Sequence, residues 1–242
     1  MKKLLSGLLL LTLLGIAWFF RQELLFLKDF LVLKTTKTHS ISDRLTQYGP
    51  VVQKRLAPFF EQAGVPYPPD RLVFIGLKAE KRLEVHASFR NGPMRALRSY
   101  TVLAASGGPG PKLREGDGQV PEGLYGIDYL NPNSLYHLSM RISYPNATDR
   151  NRAAQEGRTH LGGDIMIHGN QVSIGCLAMG DEAAEDLFVL AALTGKENIR
   201  VLLCPYDFRD HSPAMEKTNN PFMDSLYSTL RRELASFPKP EQ

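Results

Sequence analysis

The chain has 242 residues, 43% of them hydrophobic, which is enough for one sizeable core with extensions. Its 29 Lys and Arg against 25 Asp and Glu leave a net charge of +4. No long basic run accompanies that mild excess, so a nucleic-acid partner is not indicated, and no internal repeat or long low-complexity segment is present.

Lys2 and Lys3 precede an apolar run from Leu4 to Phe20 that Arg21 closes. Residues 1–21 have the length and flanks of a signal peptide or short membrane anchor with its start on the cytoplasmic side. The run ends in Ala17, Trp18, Phe19 and Phe20, too bulky for a small-x-small cleavage site, so an uncleaved signal-anchor is expected. No cysteine lies near it to carry a lipid. Either reading puts the body outside the cytoplasm, in a periplasmic or other extracytoplasmic location, tethered to the inner (cytoplasmic) membrane.

Residues 22–69 read as a juxtamembrane stalk followed by a helix. Ser42 is the expected cap, and Leu45, Val52, Leu56, Phe59 and Phe60 form the apolar face. Gly49-Pro50 predicts a break, Gly64 an end, and Pro66, Pro68 and Pro69 the boundary with a second unit over residues 70–205. There the period changes to that of strands. Leu72 to Leu77 is a continuous apolar run. Leu83, Val85, Ala87 and Phe89 alternate with polar residues, which puts His86 on a solvent-facing side. Asn91-Gly92 predicts a hairpin into Leu97 to Ala105. Residues 107–118 read as a long loop, Leu124 to Leu130 as a strand, and Tyr136 to Ile142 as a strand with His137 facing solvent. Residues 146–163 read as an irregular loop over a cleft. Asp181 is the expected cap of a helix, Ile199 to Leu203 forms a last strand, and Phe222 to Phe237 forms a helix within a C-terminal extension, residues 206–242. The alternating strands indicate a mainly β, α+β fold with antiparallel pairing and argue against a doubly wound sheet.

The most informative stretch is Asp164 to Cys176. Ile165, Met166 and Ile167 fit a buried strand, which makes a rigid mount for His168. Gly169 and Gly175 allow the following chain to turn back, so that Cys176 faces His168. A thiol becomes a good nucleophile only as the thiolate, and a nearby imidazole takes its proton. The amides of Gly175 and Cys176 are candidate oxyanion donors, and Ser173 supports the loop or the substrate. His160 is the rival base, because it also precedes the cysteine in an irregular segment. Cys204 ends an apolar run and reads as a buried thiol rather than a disulfide partner of Cys176. The spacing of His160, Asp164, His168 and Cys176 is not that of a paired-ligand zinc motif, so no metal and no cofactor are expected.

His168-Gly169 followed by Ser173-x-Gly175-Cys176 resembles the signature of the L,D-transpeptidase catalytic domain, the YkuD-like family. The upstream stretches 110–118 and Pro121 to Tyr125, together with Pro145-Asn146-Ala147 and Cys176 to Met179, resemble a short-loop subgroup of it. The resemblance implies a mixed, β-sandwich-like domain with a helix beside the cysteine loop. It implies that Cys176 attacks a carbonyl of a peptidoglycan stem peptide to form a thioester, that His168 is the base, and that the Gly169 carbonyl orients the imidazole. Tyr125, Arg158 and Asn170 are then candidates to line the substrate cleft, and Lys112 and Arg114 to meet substrate carboxylates. The sequence departs from the broader family at Ile174 and Ala178 and in its short loop. That keeps a second outcome open: a hydrolase or amidase acting on stem-peptide links, including those to a covalently wall-linked protein. A wall-binding module without catalysis is the reading from a different class.

Overall fold

A computed structural model of the chain describes residues 38–173, 175–210 and 220–240. The expected anchor and the stalk up to residue 37 lie outside them, as do Ile174 and His211. Among the described residues no helix is long and apolar enough to cross a membrane.

The architecture is mixed α+β. Eight strands, β1 (Arg71–Leu77), β2 (Arg82–Ser88), β3 (Arg95–Thr101), β4 (Gly123–Ser134), β5 (His137–Ile142), β6 (Met166–His168), β7 (Leu177–Ala178) and β8 (Ile199–Cys204), form one sheet in the order β3-β2-β1-β8-β4-β5-β6-β7. Most pairs are antiparallel, but β8 lies parallel to β1 and β7 parallel to β6. The long β4 joins the two halves: Gly123 to Gly126 pair with β8, and Ile127 to Ser134 pair with β5. The far ends of the sheet also meet. Leu103, just past β3, donates its amide to the Ala178 carbonyl at 2.8 Å, and the Ala178 amide donates to Ala104 at 2.9 Å. The sandwich-like arrangement that the resemblance implies takes the form of one curled, half-barrel sheet whose far ends touch through a single bridge at Ala104 and Ala178.

Among the described residues four α-helices accompany it: α1 (Ile41–Ala63), α2 (Ala147–Gln155), α3 (Asp181–Thr194) and α4 (Pro221–Leu234). The apolar face of α1, Val52, Leu56 and Phe60, packs into the main core with Leu72 and Phe74 of β1 and Leu187 and Phe188 of α3. The other face of β1, Val73, Ile75 and Leu77, packs with Leu202, Tyr227, Leu230 and Leu234. Alternate residues of β1 thus serve opposite cores, which explains its unbroken apolar run.

The structure corrects several expectations. The cap of α1 is Ser40, not Ser42. The Ser40 hydroxyl accepts the Asp43 amide, and the Asp43 carboxylate accepts the Ser40 amide, a reciprocal box that begins the helix two residues early. The helix runs through Pro50 and Pro58 without ending; its buried face offsets the hydrogen bonds those prolines remove. Residues 146–163 are not wholly irregular. Asn146 and Asp149 form a second capping box and start α2. Asp181 is the first residue of α3, which Gly180 caps, and its carboxylate serves the preceding loop instead.

His86 is fully buried, not solvent-facing, because the C-terminal segment covers that side of β2. Its Nε2 lies 3.1 Å from Glu84, and its ring packs on Phe237 with centroids 5.2 Å apart. His137 is also engaged, 3.0 Å from Glu185 of α3 and edge-on to Tyr48 of α1.

Candidate active site

His168 ends β6, and its backbone is fixed on both sides. Ser139 of β5 is its partner on one side and Ala178 of β7 on the other. Nδ1 lies 2.6 Å from the Gly169 carbonyl. A carbonyl only accepts, so Nδ1 carries the proton of the neutral ring and Nε2 keeps its lone pair. Among the described residues nothing hydrogen-bonds that lone pair. The ring of Tyr136, on the β4–β5 hairpin, lies over the imidazole with centroids 4.8 Å apart and planes inclined by 37°.

Cys176 immediately precedes β7. The register Ile167↔Leu177 places it beside Met166, whose amide donates to the sulfur at 3.4 Å. The thiol proton points to the Asp164 carbonyl at 3.7 Å, not to His168. Met166 and His168 share a face of β6, one strand repeat apart, about 7 Å. The nucleophile and base candidates are thus carried side by side on two parallel strands, without a hydrogen bond between them in this state. Cys204 is a free, fully buried thiol packed in the second core with Val73, Ile75 and Leu230, as expected from its apolar run.

Electrostatics make both groups neutral at rest. Burial pushes the His168 imidazole below its ordinary value, against the Gly169 hydrogen bond that raises it. Burial pushes the Cys176 thiol up and Asp164 adds to this, while the Met166 amide and the Lys112 charge act the other way.

The turn between them is held from within. The Asn170 amide donates to Asp181 Oδ1 at 2.8 Å, its side-chain oxygen accepts the Gln171 amide, and its carbonyl accepts the Gly180 amide at 3.0 Å. Ser173 Oγ donates to the Cys176 carbonyl at 2.7 Å and accepts the Cys176 amide at 3.0 Å. The Gly175 amide, at φ +84°, donates to Ser106 Oγ at 2.5 Å. Both expected oxyanion donors therefore hold serine hydroxyls in this state.

Other expected substrate contacts are placed elsewhere. Tyr125 is buried against Tyr144, with its hydroxyl directed to Glu122 and Asp149; the cavity it lines, of about 220 Å³, lies between β4, α2 and α4. Arg158 is tied to Glu156 and to the Leu113 carbonyl. Asn170 and Ser173 act on the turn itself. Lys112 is buried and paired with Asp117 at 2.7 Å, and Arg114 is exposed. His160 is exposed, and its carbonyl holds the Glu115 amide. The polar groove that does border the site, of about 550 Å³, is lined by Asp128, Arg141, Asn146, Arg150 and Asp164, whose carbonyl is the thiol's acceptor.

The site thus joins a strand-borne imidazole, held by the next carbonyl, to a thiol at the start of the neighbouring strand. Residues 70–199 match the family model YkuD, the L,D-transpeptidase catalytic domain. The chain belongs to this family. YafK of Escherichia coli K12, named as a candidate L,D-transpeptidase, is 34% identical over 148 residues, 59% of this chain and 57% of that protein. The chain thus spans little more than half the length of this relative. Among solved structures, the helical cell shape determining protein Pgp2 of Campylobacter jejuni is 23% identical with a TM-score of 0.44, covering 63% of this chain and 54% of that one. L,D-transpeptidase 1 of Mycobacterium tuberculosis is 14% identical with a TM-score of 0.33, covering 55% and 62%.

Three supporting residues escape a reading of the YkuD motif alone. Ser106 bridges the Gly175 amide and, at 2.6 Å, the Gly118 carbonyl. Asp181 holds the turn after His168, and Tyr136 covers the imidazole. Ser106 and Tyr136 stand far from the signature in sequence and carry no local pattern that marks them. Asp181 has a signal, an acid at a helix start, but its partner is a loop amide outside its own helix.

Proposed function

We propose that this member of the L,D-transpeptidase family carries out cysteine-dependent acyl transfer on peptidoglycan stem peptides, outside the cytoplasm, in cell-wall synthesis or remodelling. Cys176 is the nucleophile and His168 the base. The observation that carries this reading is the 2.6 Å contact between His168 Nδ1 and the Gly169 carbonyl. It does what an aspartate does in a serine triad: it fixes the tautomer and leaves Nε2 to take a proton.

Because both groups are neutral at rest, the step is general-base catalysis. A change of the Cys176 χ1 rotamer moves the thiol from Asp164 towards Nε2. As sulfur attacks the carbonyl carbon, the thiol proton passes to Nε2, and the carbonyl π pair becomes the oxyanion. The Gly175 and Cys176 amides then exchange serine hydroxyls for an anionic acceptor, roughly twice as strong a partner. The intermediate collapses, the C–N bond breaks, and the imidazolium protonates the leaving amine. An incoming amine attacks the thioester carbonyl and gives up its proton to Nε2; the C–S bond then breaks, and the imidazolium returns that proton to the departing Cys176 thiolate.

Exposure of the protein to a carbapenem followed by intact-mass analysis tests the nucleophile. A covalent adduct mapped to Cys176 and absent from Cys176→Ala is expected, and a folded protein without one overturns the assignment. Incubation with tetrapeptide fragments tests the reaction. Products that change when an amine acceptor is added support the transferase, and products indifferent to it support the hydrolase. The 70–205 catalytic unit, the 1–21 anchor and the 206–242 extension remain part of the same proposal. Mass analysis of the chain purified from membranes tests whether residues 1–21 are retained.

A further inference from the structure

We propose that Tyr136 is a positioning residue for the imidazole, a fixed aromatic lid that holds the His168 ring in plane and keeps water off one of its faces. The inference deepens the reading of His168 as a base. The ring contact, 4.8 Å between centroids, is the primary observation.

Three further observations show that the hairpin is built to keep it. The Tyr136 carbonyl lies against Gly169 so closely that a Cβ there would sit 2.8 Å away. The Gly169 amide donates to the Leu138 carbonyl at 3.1 Å, so the hairpin and the His168-Gly169 pair are stitched together. Each flank of Tyr136 is also fixed. Its amide donates to Ser134 Oγ at 3.1 Å, and His137, at φ +70°, is gripped by Glu185 and Tyr48. A left-handed, non-glycine residue is a strained choice that persists only when its surroundings hold it. Here that turn presents Tyr136 to the imidazole.

A tyrosine left 43% exposed at a hairpin tip is not needed for core packing. One face of its ring meets the imidazole, and the side chain is otherwise left to solvent. When the ring becomes imidazolium, an aromatic face at this distance is favourable for the cation. In the neutral state the same ring supplies part of the burial that sets the imidazole's protonation. The nearby acids are committed elsewhere: Asp181 to the Asn170 amide and Glu185 to His137, while the Cys176 thiol faces Asp164.

The test has two arms. NMR titration of the His168 imidazole in the folded protein reads positioning without requiring any activity. Tyr136→Ala should move the titration up towards the ordinary histidine value, and Tyr136→Phe, which keeps the ring, should retain the wild-type titration. The rate of carbapenem acylation should fall at least tenfold in Tyr136→Ala and stay within about twofold in Tyr136→Phe. Alkylation of the thiol by iodoacetamide at high pH, which needs no base, should be the same in all three proteins. An unchanged titration in Tyr136→Ala overturns the inference, and so does a Phe variant that behaves like Ala. If Tyr136→Ala does not fold, Tyr136→Leu takes its place: it keeps the bulk that buries the imidazole but removes the π face, so its titration should stay below the ordinary histidine value while the acylation rate falls, and a wild-type acylation rate in it overturns the inference. Absence of any carbapenem adduct on the wild-type protein would count against the acyl-transfer reading, while the NMR arm still decides the role of Tyr136.

Discussion

A Cβ placed on Gly169 would lie 2.6 Å from Asp181 Oδ1, the same oxygen that accepts the Asn170 amide at 2.8 Å. Gly169 is therefore a point of close approach, where a helix start, a hairpin carbonyl and the histidine strand meet with no room for a side chain. Gly169→Ala should push the Asp181 carboxylate and the Tyr136 carbonyl away and shift the carbonyl that orients His168. A cost of about 1–3 kcal/mol in stability is expected from overpacking. A fall of roughly a hundredfold in acylation rate should follow from base misplacement. Thermal melts and carbapenem acylation kinetics check the two together. A variant with the wild-type rate would separate the Gly169 contact from catalysis.

The directions of the two pKa shifts predict the pH behaviour of the resting site. The Cys176 thiol is pushed up by burial, so it is protonated at neutral pH. Its thiolate fraction should rise tenfold per pH unit until the midpoint is passed. Alkylation by iodoacetamide should show that midpoint above the ordinary thiol value of about 8.5. His168 is pushed down by burial, so its free base persists below the ordinary histidine value. The acid limb of carbapenem acylation should accordingly fall below about pH 6.5. A thiol midpoint well below neutrality would indicate a preformed thiolate–imidazolium pair and contradict the general-base step.

Ser173 separates two roles cleanly. Its hydroxyl bonds both the amide and the carbonyl of Cys176, which marks it as a staple of the nucleophile loop. Ser173→Ala should lower the acylation rate constant for any acyl donor by about tenfold, equivalent to the roughly 1–1.5 kcal/mol of a lost hydrogen bond. KM for a tetrapeptide should change little. A raised KM with unchanged kcat would return Ser173 to substrate binding.

How much of this was readable without coordinates depends on where the partners lie. β1, β2, the β2–β3 hairpin, α3 and α4 follow from local periodicity and turn residues, and so does the placing of His168 on a strand end. Cys204 reads correctly because its apolar run sets its burial. Residues whose surroundings come from far along the chain do not. His86 alternates like a half-exposed strand residue, yet the tail that carries Phe237 buries it. Tyr125 sits in a recognisable motif, but its neighbours in space, Asp149 of α2 and Tyr144, lie far along the chain. The start of α2 lay in the Asn146–Asp149 spacing, masked by a polar helix with little apolar rhythm. β8 reads as the last strand, and nothing local says that it lies between β1 and β4.

The buried charges behind β2 give the remaining prediction. Glu84 is fully buried, and its Oε1 accepts Arg209 at 2.7 Å and Arg82, while Oε2 faces His86. Asp207, also fully buried, accepts Arg209 at 2.8 Å and Arg82 at 2.9 Å. Burial alone would raise both carboxyls. The hydrogen bonds from His86 and Arg209 outweigh it for Glu84, as those from the Arg209 side chain and backbone do for Asp207, and hold both below their ordinary values. A carboxyl lowered in the folded state stabilises above its unfolded pKa and loses that contribution as pH falls through its folded one. Stability should therefore hold across neutral pH and decline as the pH falls below the ordinary carboxylate range of about 4 and through the lowered titrations of these two groups. Glu84→Gln leaves Arg209 and Arg82 facing a neutral amide and should cost about 3–5 kcal/mol at pH 7, as breaking one side of a buried pair does. The loss should shrink as the pH falls through the lowered titration of Glu84, where the wild-type carboxyl is neutralised as well. Urea melts of both proteins at pH 7 and pH 3 check it, and equal stabilities at pH 7 would show that the cluster does not hold the C-terminal segment in place.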